Sequence, residues 1–114
     1  MDESNRRRHP RYPVRGLKGS IEGQPCELLR LSLGGLLAAS RLEPAPQRVI
    51  HLEFPLEGEV FRSAGRVAFV GPDTHSPERG WNRIGVEFLA VPKRSRRTLE
   101  KYLATLTPAE PQPA

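Results

Sequence analysis

The chain has 114 residues, with 18 Lys or Arg against 13 Asp or Glu and a formal net charge of +5. That length holds one small domain with one modest core, and that charge favours anionic partners: nucleotides, nucleic acid, an acidic protein or an anionic membrane face. No apolar run approaches ~20 residues and no charged-then-apolar leader opens the chain, which argues against membrane-spanning and secretory readings and makes a cytoplasmic location the expectation.

Residues 1–5 read as a flexible N-terminus. Arg6, Arg7, Arg8 and Arg11 follow, four guanidiniums inside six residues. Guanidinium is a planar, permanently charged donor that matches phosphate oxygens and guanine edges. From there the pattern is β. Ile50, Leu52 and Phe54 alternate with Val49, His51 and Glu53, and Ile84, Val86 and Phe88 alternate with Arg83, Gly85 and Glu87, the period of two of a half-buried strand. Leu56-Glu57-Gly58-Glu59 reads as a hairpin loop, and Gly34-Gly35, Glu43-Pro44-Ala45-Pro46 and Gly71-Pro72-Asp73 punctuate the remainder. Six strands are predicted, over 12–22, 25–32, 35–40, 48–54, 59–70 and 80–89. Short strands at this spacing argue for a closed or nearly closed antiparallel barrel with most sheet edges removed. Cys26, the single cysteine, reads as a small buried residue of the second strand.

One helix follows the strands. Leu99, Tyr102, Leu103 and Leu106 fall at i, i+3, i+4 and i+7, with Pro92 at its start and Pro108 as its stop. The stripe reads as a face docked on the barrel, with a partner-binding amphipathic helix as the alternative. Its basic residues, Lys93, Arg94, Arg96, Arg97 and Lys101, form a second positive patch apart from the N-terminal one, read as a solvated surface or a contact for an acidic partner. Residues 107–114 read as a disordered Pro-rich tail, leaving 6–106 as a single domain.

The residues that carry chemistry are few. His9, His51 and His75 lack ligand spacing, so no metal site is expected, and no nucleophile elbow, Walker loop or acidic pair supports catalysis. The candidate ligand contacts are Arg6, Arg7, Arg8 and Arg11 on one side and Ser32 with the Gly34-Gly35 turn on the other. Glycines there admit positive φ and clear the approach to backbone N–H groups. Trp81 reads either as a stacking face for a base or as a packing residue at the barrel rim.

The order of these elements resembles a PilZ domain, the bacterial cyclic di-GMP receptor module, over nearly the whole chain. In that family an RxxxR segment and a downstream [D/N]xSxxG segment clasp the dinucleotide. Arg7-Arg8-His9-Pro10-Arg11 fits the first, and Arg30-Leu31-Ser32-Leu33-Gly34-Gly35 fits the second except that Arg30 stands where the family has Asp or Asn. A guanidinium has donors and no acceptor, so Arg30 cannot bind guanine N1 and N2 as a carboxylate does. The resemblance implies an all-β fold, a six-stranded antiparallel barrel with a C-terminal helix, no enzymatic activity and no cofactor. It also implies cyclic di-GMP as ligand and an effector protein as partner. The alternative is a degenerate member that ignores the dinucleotide and acts as a protein-interaction adaptor. A nucleic-acid-binding barrel is a third reading, against which stands the lack of an aromatic stacking cluster.

Overall fold

A computed structural model of the protein describes residues 9–74 and 80–106. Seven strands and one helix follow in chain order: β1 (Tyr12–Pro13), β2 (Lys18–Ile21), β3 (Gln24–Leu31), β4 (Gly35–Ser40), β5 (Val49–Leu56), β6 (Glu59–Pro72), β7 (Asn82–Ala90) and α1 (Lys93–Leu103). Every pairing is antiparallel, and β3, β2, β5, β6, β7 and β4 close into a ring because β4 also pairs with β3. The fold is the predicted six-stranded barrel with its helix. The single strand predicted over 12–22 is two segments: both lie along β3, with Tyr12 opposite Leu31 and Lys18 opposite Glu27. Between them the chain bends at Gly16, where φ is +71°, a conformation that favours glycine.

Alternation does most of the sorting. Ile50, Leu52, Phe54 and Leu56 of β5 all point into the core, as do Ile84 and Val86 of β7. Phe54 stacks on Phe61 at 4.7 Å and Phe61 meets Phe88 at 5.2 Å. The predicted Leu56–Glu59 hairpin turn forms with positive φ at both Glu57 and Gly58, the twist that suits a two-residue loop. The β2–β3 turn repeats this at Glu22 and Gly23. Glu22 also accepts a hydrogen bond from the His51 amide at 3.1 Å and pairs with Arg48 at 3.3 Å. The His51 amide, then the His51 ring, holds the Glu22 carboxyl below its ordinary pKa. Cys26 is buried in β3 as expected, and desolvation pushes its thiol up to about 11.

Three register shifts interrupt the ladders, one of them between Ala64 and Gly65 where β6 meets β7, and the other two carry a side chain to the outer face. In β3 the register shifts between Leu28 and Arg30, so Leu28 and Leu31 face the core while Arg30 faces out. In β6 it shifts between Val67 and Phe69, so Val67 is buried and Phe69, 52% exposed, lies on the outer surface. One extra residue in each strand reverses the faces beyond it.

The helix docks as its stripe predicts, with Leu99 and Leu103 buried and Tyr102 and Leu106 packed at the margin. Two polar residues join that face: Ser95 Oγ accepts the Arg62 amide at 3.1 Å, and Thr98 Oγ1 donates to Glu59 at 2.8 Å. The first turn carries no acid and no side-chain cap, and basic residues there oppose the helix dipole. Docking on β5 and β6 is therefore what holds α1 in place. The stop at Pro108 and the 107–114 tail lie outside the described residues, as do residues 1–5.

Candidate functional site

An open cleft of about 1010 Å³ lies on the outer face of the barrel where β3, β4, β7 and the bulged part of β6 meet. It gathers Arg11, Arg30, the Ser32–Gly35 turn, Phe69, Glu87 and Arg96. The β3 bulge turns Arg30 into it. Arg11 arrives by register: Tyr12 pairs with Leu31 and Pro13 with Arg30, and one more antiparallel step places Arg11 beside Ser32.

The Ser32 turn is built from its own atoms. The Gly34 and Gly35 amides both donate to Ser32 Oγ at 3.1 Å, and the Ser32 amide donates to the Gly35 carbonyl at 2.9 Å. The hydroxyl donates back to the same carbonyl at 3.3 Å. This corrects the expectation of unobstructed N–H groups, because a serine following a strand satisfies the next amides locally. Nor do the two glycines use positive φ. Gly35 is needed for close approach, since a Cβ there would stand 2.1 Å from the Val86 carbonyl oxygen, whereas a Cβ on Gly34 would stand 2.9 Å from the His9 ring, an exposed side chain that can turn aside. His9 therefore rests on the turn, and the chain leading into β1 crosses the Ser32 segment.

Trp81 does not belong to this cleft. It precedes β7 at the end of the β4–β7 ladder where Ser40 meets Asn82, whereas Gly35 meets Glu87 at the other end. Six residues at ~3.4 Å each separate Trp81 from Glu87 by about 20 Å. Its carbonyl accepts the Asp73 amide at 3.0 Å, and its indole Nε1 is buried without a partner among the described residues. Arg6, Arg7 and Arg8 lie outside the described residues.

Sequence reasoning misses Phe69, Glu87 and Arg96. Phe69 is hidden because strict alternation from Val67 would bury it. A signal is nonetheless present: core residues Phe61, Ser63, Gly65 and Val67 step by two, and the next packed residue is Val70, three on. Arg96 corrects the separation of the two basic patches, since it lines the same cleft as Arg11 and Arg30. Among the described residues no group of three or more His, Cys, Asp or Glu is placed to hold a metal, and no helix is long and apolar enough to cross a membrane.

Electrostatically the cleft offers three guanidiniums, one carboxylate and two exposed rings, Phe69 and the His9 imidazole, among the described residues, an arrangement that can hold an anionic planar ligand by charge and by stacking. No curated protein matches the chain. Among solved structures it is similar to the Bacillus subtilis inhibitor of motility MotI/DgrA, with a TM-score of 0.68 and 16% identity, covering 88% of this chain. The chain spans about half (50%) of that protein's length, and the likeness is one of fold. The model of the PilZ domain matches residues 5–105, so the barrel, its closing helix and the arginine and Ser-x-x-Gly segments are those of a chain that belongs to the PilZ domain family, a family of cyclic di-GMP receptors.

Proposed function

We propose that this PilZ domain, spanning residues 6–106, is a non-enzymatic cytoplasmic receptor that binds cyclic di-GMP in the outer cleft and passes the event to an effector protein. Arg6, Arg7, Arg8 and Arg11 clamp the phosphates, Arg30 adds charge beside them, and the Ser32–Gly35 turn forms the wall. Closure of the arginine segment on the ligand changes the surface offered to the effector, so the protein signals without a chemical step. The observation that carries this reading is the meeting of both family segments in one cleft, with His9 against Gly34 and Arg11, one residue before the Tyr12–Leu31 pair, lining it together with Ser32. A neighbour named as an inhibitor of motility suits a module that acts on another machine rather than on a substrate.

A second reading, an adaptor that does not bind the dinucleotide, draws support from two features. The Gly34 and Gly35 amides are already bonded to Ser32 Oγ, and Arg30 offers donors only.

Calorimetric titration with cyclic di-GMP, with GTP as control, separates the two. The receptor reading expects binding at micromolar or tighter strength. Arg11→Ala should weaken it at least tenfold, since a charge-assisted hydrogen bond contributes about 1.5–3 kcal/mol, and affinity should fall as salt is raised. Absence of heat with wild type would favour the adaptor. Equal affinities of wild type and Arg11→Ala would remove the arginine clasp.

A further inference from the structure

The chemistry of the cleft is lopsided. Arg11, Arg30 and Arg96 are donors, and Glu87 is the one carboxylate among the described residues that line it. Glu87 stands on the outer face of β7 opposite Gly35, which puts no side chain in front of it, and on its other side opposite Arg66. It is exposed. The ion pairs among the described residues are Arg48–Glu22, His51–Glu22, Arg62–Glu53 and Arg83–Asp73, so neither Arg66 nor a cleft arginine holds the Glu87 carboxylate.

Two positions earlier on the same face is Gly85, about 7 Å away along the strand. The Phe69 ring covers it: a Cβ on Gly85 would lie 2.2 Å from Phe69 Cε1. Of the four exposed large apolar side chains among the described residues, Val49, Val60, Phe69 and Leu89, two line this cleft, and Phe69 is the aromatic one. A ring with an unpaired carboxylate beside it suits a planar base that presents two adjacent N–H donors on one edge. Guanine does so with N1–H and the N2 amine, which the two oxygens of a carboxylate accept together. Adenine puts an acceptor at N1, and its lone pair would face the same oxygens.

We infer that Glu87 reads the Watson–Crick edge of a guanine stacked on Phe69, so that base selectivity in this chain comes from β7 rather than from the position that Arg30 occupies. The inference rests on the dinucleotide reading above and adds to it the residue that selects the base. Arg30 is then a phosphate partner, and the acceptor missing from β3 is supplied from across the β4–β7 ladder.

The test titrates the full chain with cyclic di-GMP, cyclic di-IMP, which lacks the N2 amine, and cyclic di-AMP. Wild type should prefer cyclic di-GMP over cyclic di-IMP by roughly tenfold or more, the effect of one charge-assisted bond. Glu87→Gln, which keeps shape and loses one acceptor oxygen, should weaken cyclic di-GMP at least tenfold and bring the two ligands to near-equal affinity. Phe69→Leu should weaken all ligands that bind while leaving the guanine-to-inosine ratio in place. The thermal melt of Glu87→Gln should match wild type, because that side chain is exposed and holds no ion pair, and Phe69→Leu, which gives up the ring's contact with Gly85, should melt somewhat lower yet remain folded at the titration temperature. An unchanged ratio in Glu87→Gln overturns the Glu87 assignment while leaving the receptor intact. Failure of wild type to bind any of the three overturns the receptor reading itself, and this inference with it.

Discussion

Phe61→Ala should lower the unfolding free energy by about 3–5 kcal/mol, the range for removing a buried aromatic side chain. Phe61 is fully buried and lies between Phe54, stacked at 4.7 Å, and Phe88 at 5.2 Å. Truncation removes transfer free energy and leaves a cavity bounded by two rings. The β5 ladder on one side and the docked helix on the other keep the walls from collapsing into it. For a domain near one hundred residues, whose total stability is on the order of 5–15 kcal/mol, the expected fall in Tm is about 15–30 °C. Phe61→Leu, which keeps most of the volume, should lose well under half as much. Urea unfolding followed by near-UV circular dichroism measures both variants. Matching midpoints for Phe61→Ala and wild type would show that the aromatic trio does not hold the core.

Gly35→Ala should damage both the barrel and the site. The added Cβ would meet the Val86 carbonyl oxygen at 2.1 Å and the Glu87 Cα at 3.3 Å. Both atoms are backbone and cannot rotate away, so β4 and β7 must part. Overpacking typically costs about 1–3 kcal/mol, and a clash between backbone atoms with nothing flexible to yield belongs at the upper end. The parting also separates the Ser32–Gly35 turn from Glu87, so cyclic di-GMP binding should be lost beyond what instability explains. Gly71→Ala serves as control, since open space surrounds that position and its φ is not positive. Its midpoint and its titration should follow wild type. If Gly35→Ala behaved like Gly71→Ala in both measurements, close approach across the β4–β7 ladder could not be the reason for glycine at 35.

Two kinds of glycine show where sequence reading stops. Gly58 sits in a Glu57-Gly58 pair between two alternating runs, a composition that announces a hairpin tip, and the structure places the turn there. The requirement at Gly35 depends on which strand lies beside it, and a pairing with Glu87, nearly half the chain away, leaves no local trace. The core of β5 and β7 is legible because alternation alone sorts it, and the helix stripe because 3.6-residue periodicity does. The bulges that aim Arg30 and Phe69 are not. Their trace is a step of three in a series of twos, at Leu28 to Leu31 and at Val67 to Val70, which reads as noise until the register is known. The residue types of the Ser32 turn give its position but suggest amides open to a ligand, whereas the serine hydroxyl beside them satisfies them first.

The ring consists of two three-stranded meanders, β2-β3-β4 and β5-β6-β7, each built from sequence neighbours. Among the described residues, only the β2–β5 and β4–β7 ladders join them. Contacts within a meander close short loops and form early, while the two joints must overcome the chain entropy of distant segments. The cleft straddles the β4–β7 joint, taking Arg30 and Ser32 from one meander and Phe69 and Glu87 from the other. A nascent or half-folded chain therefore carries two fragments of a site and no site, and a ligand that spans the joint binds only molecules whose ring has closed, stabilising that last step by mass action.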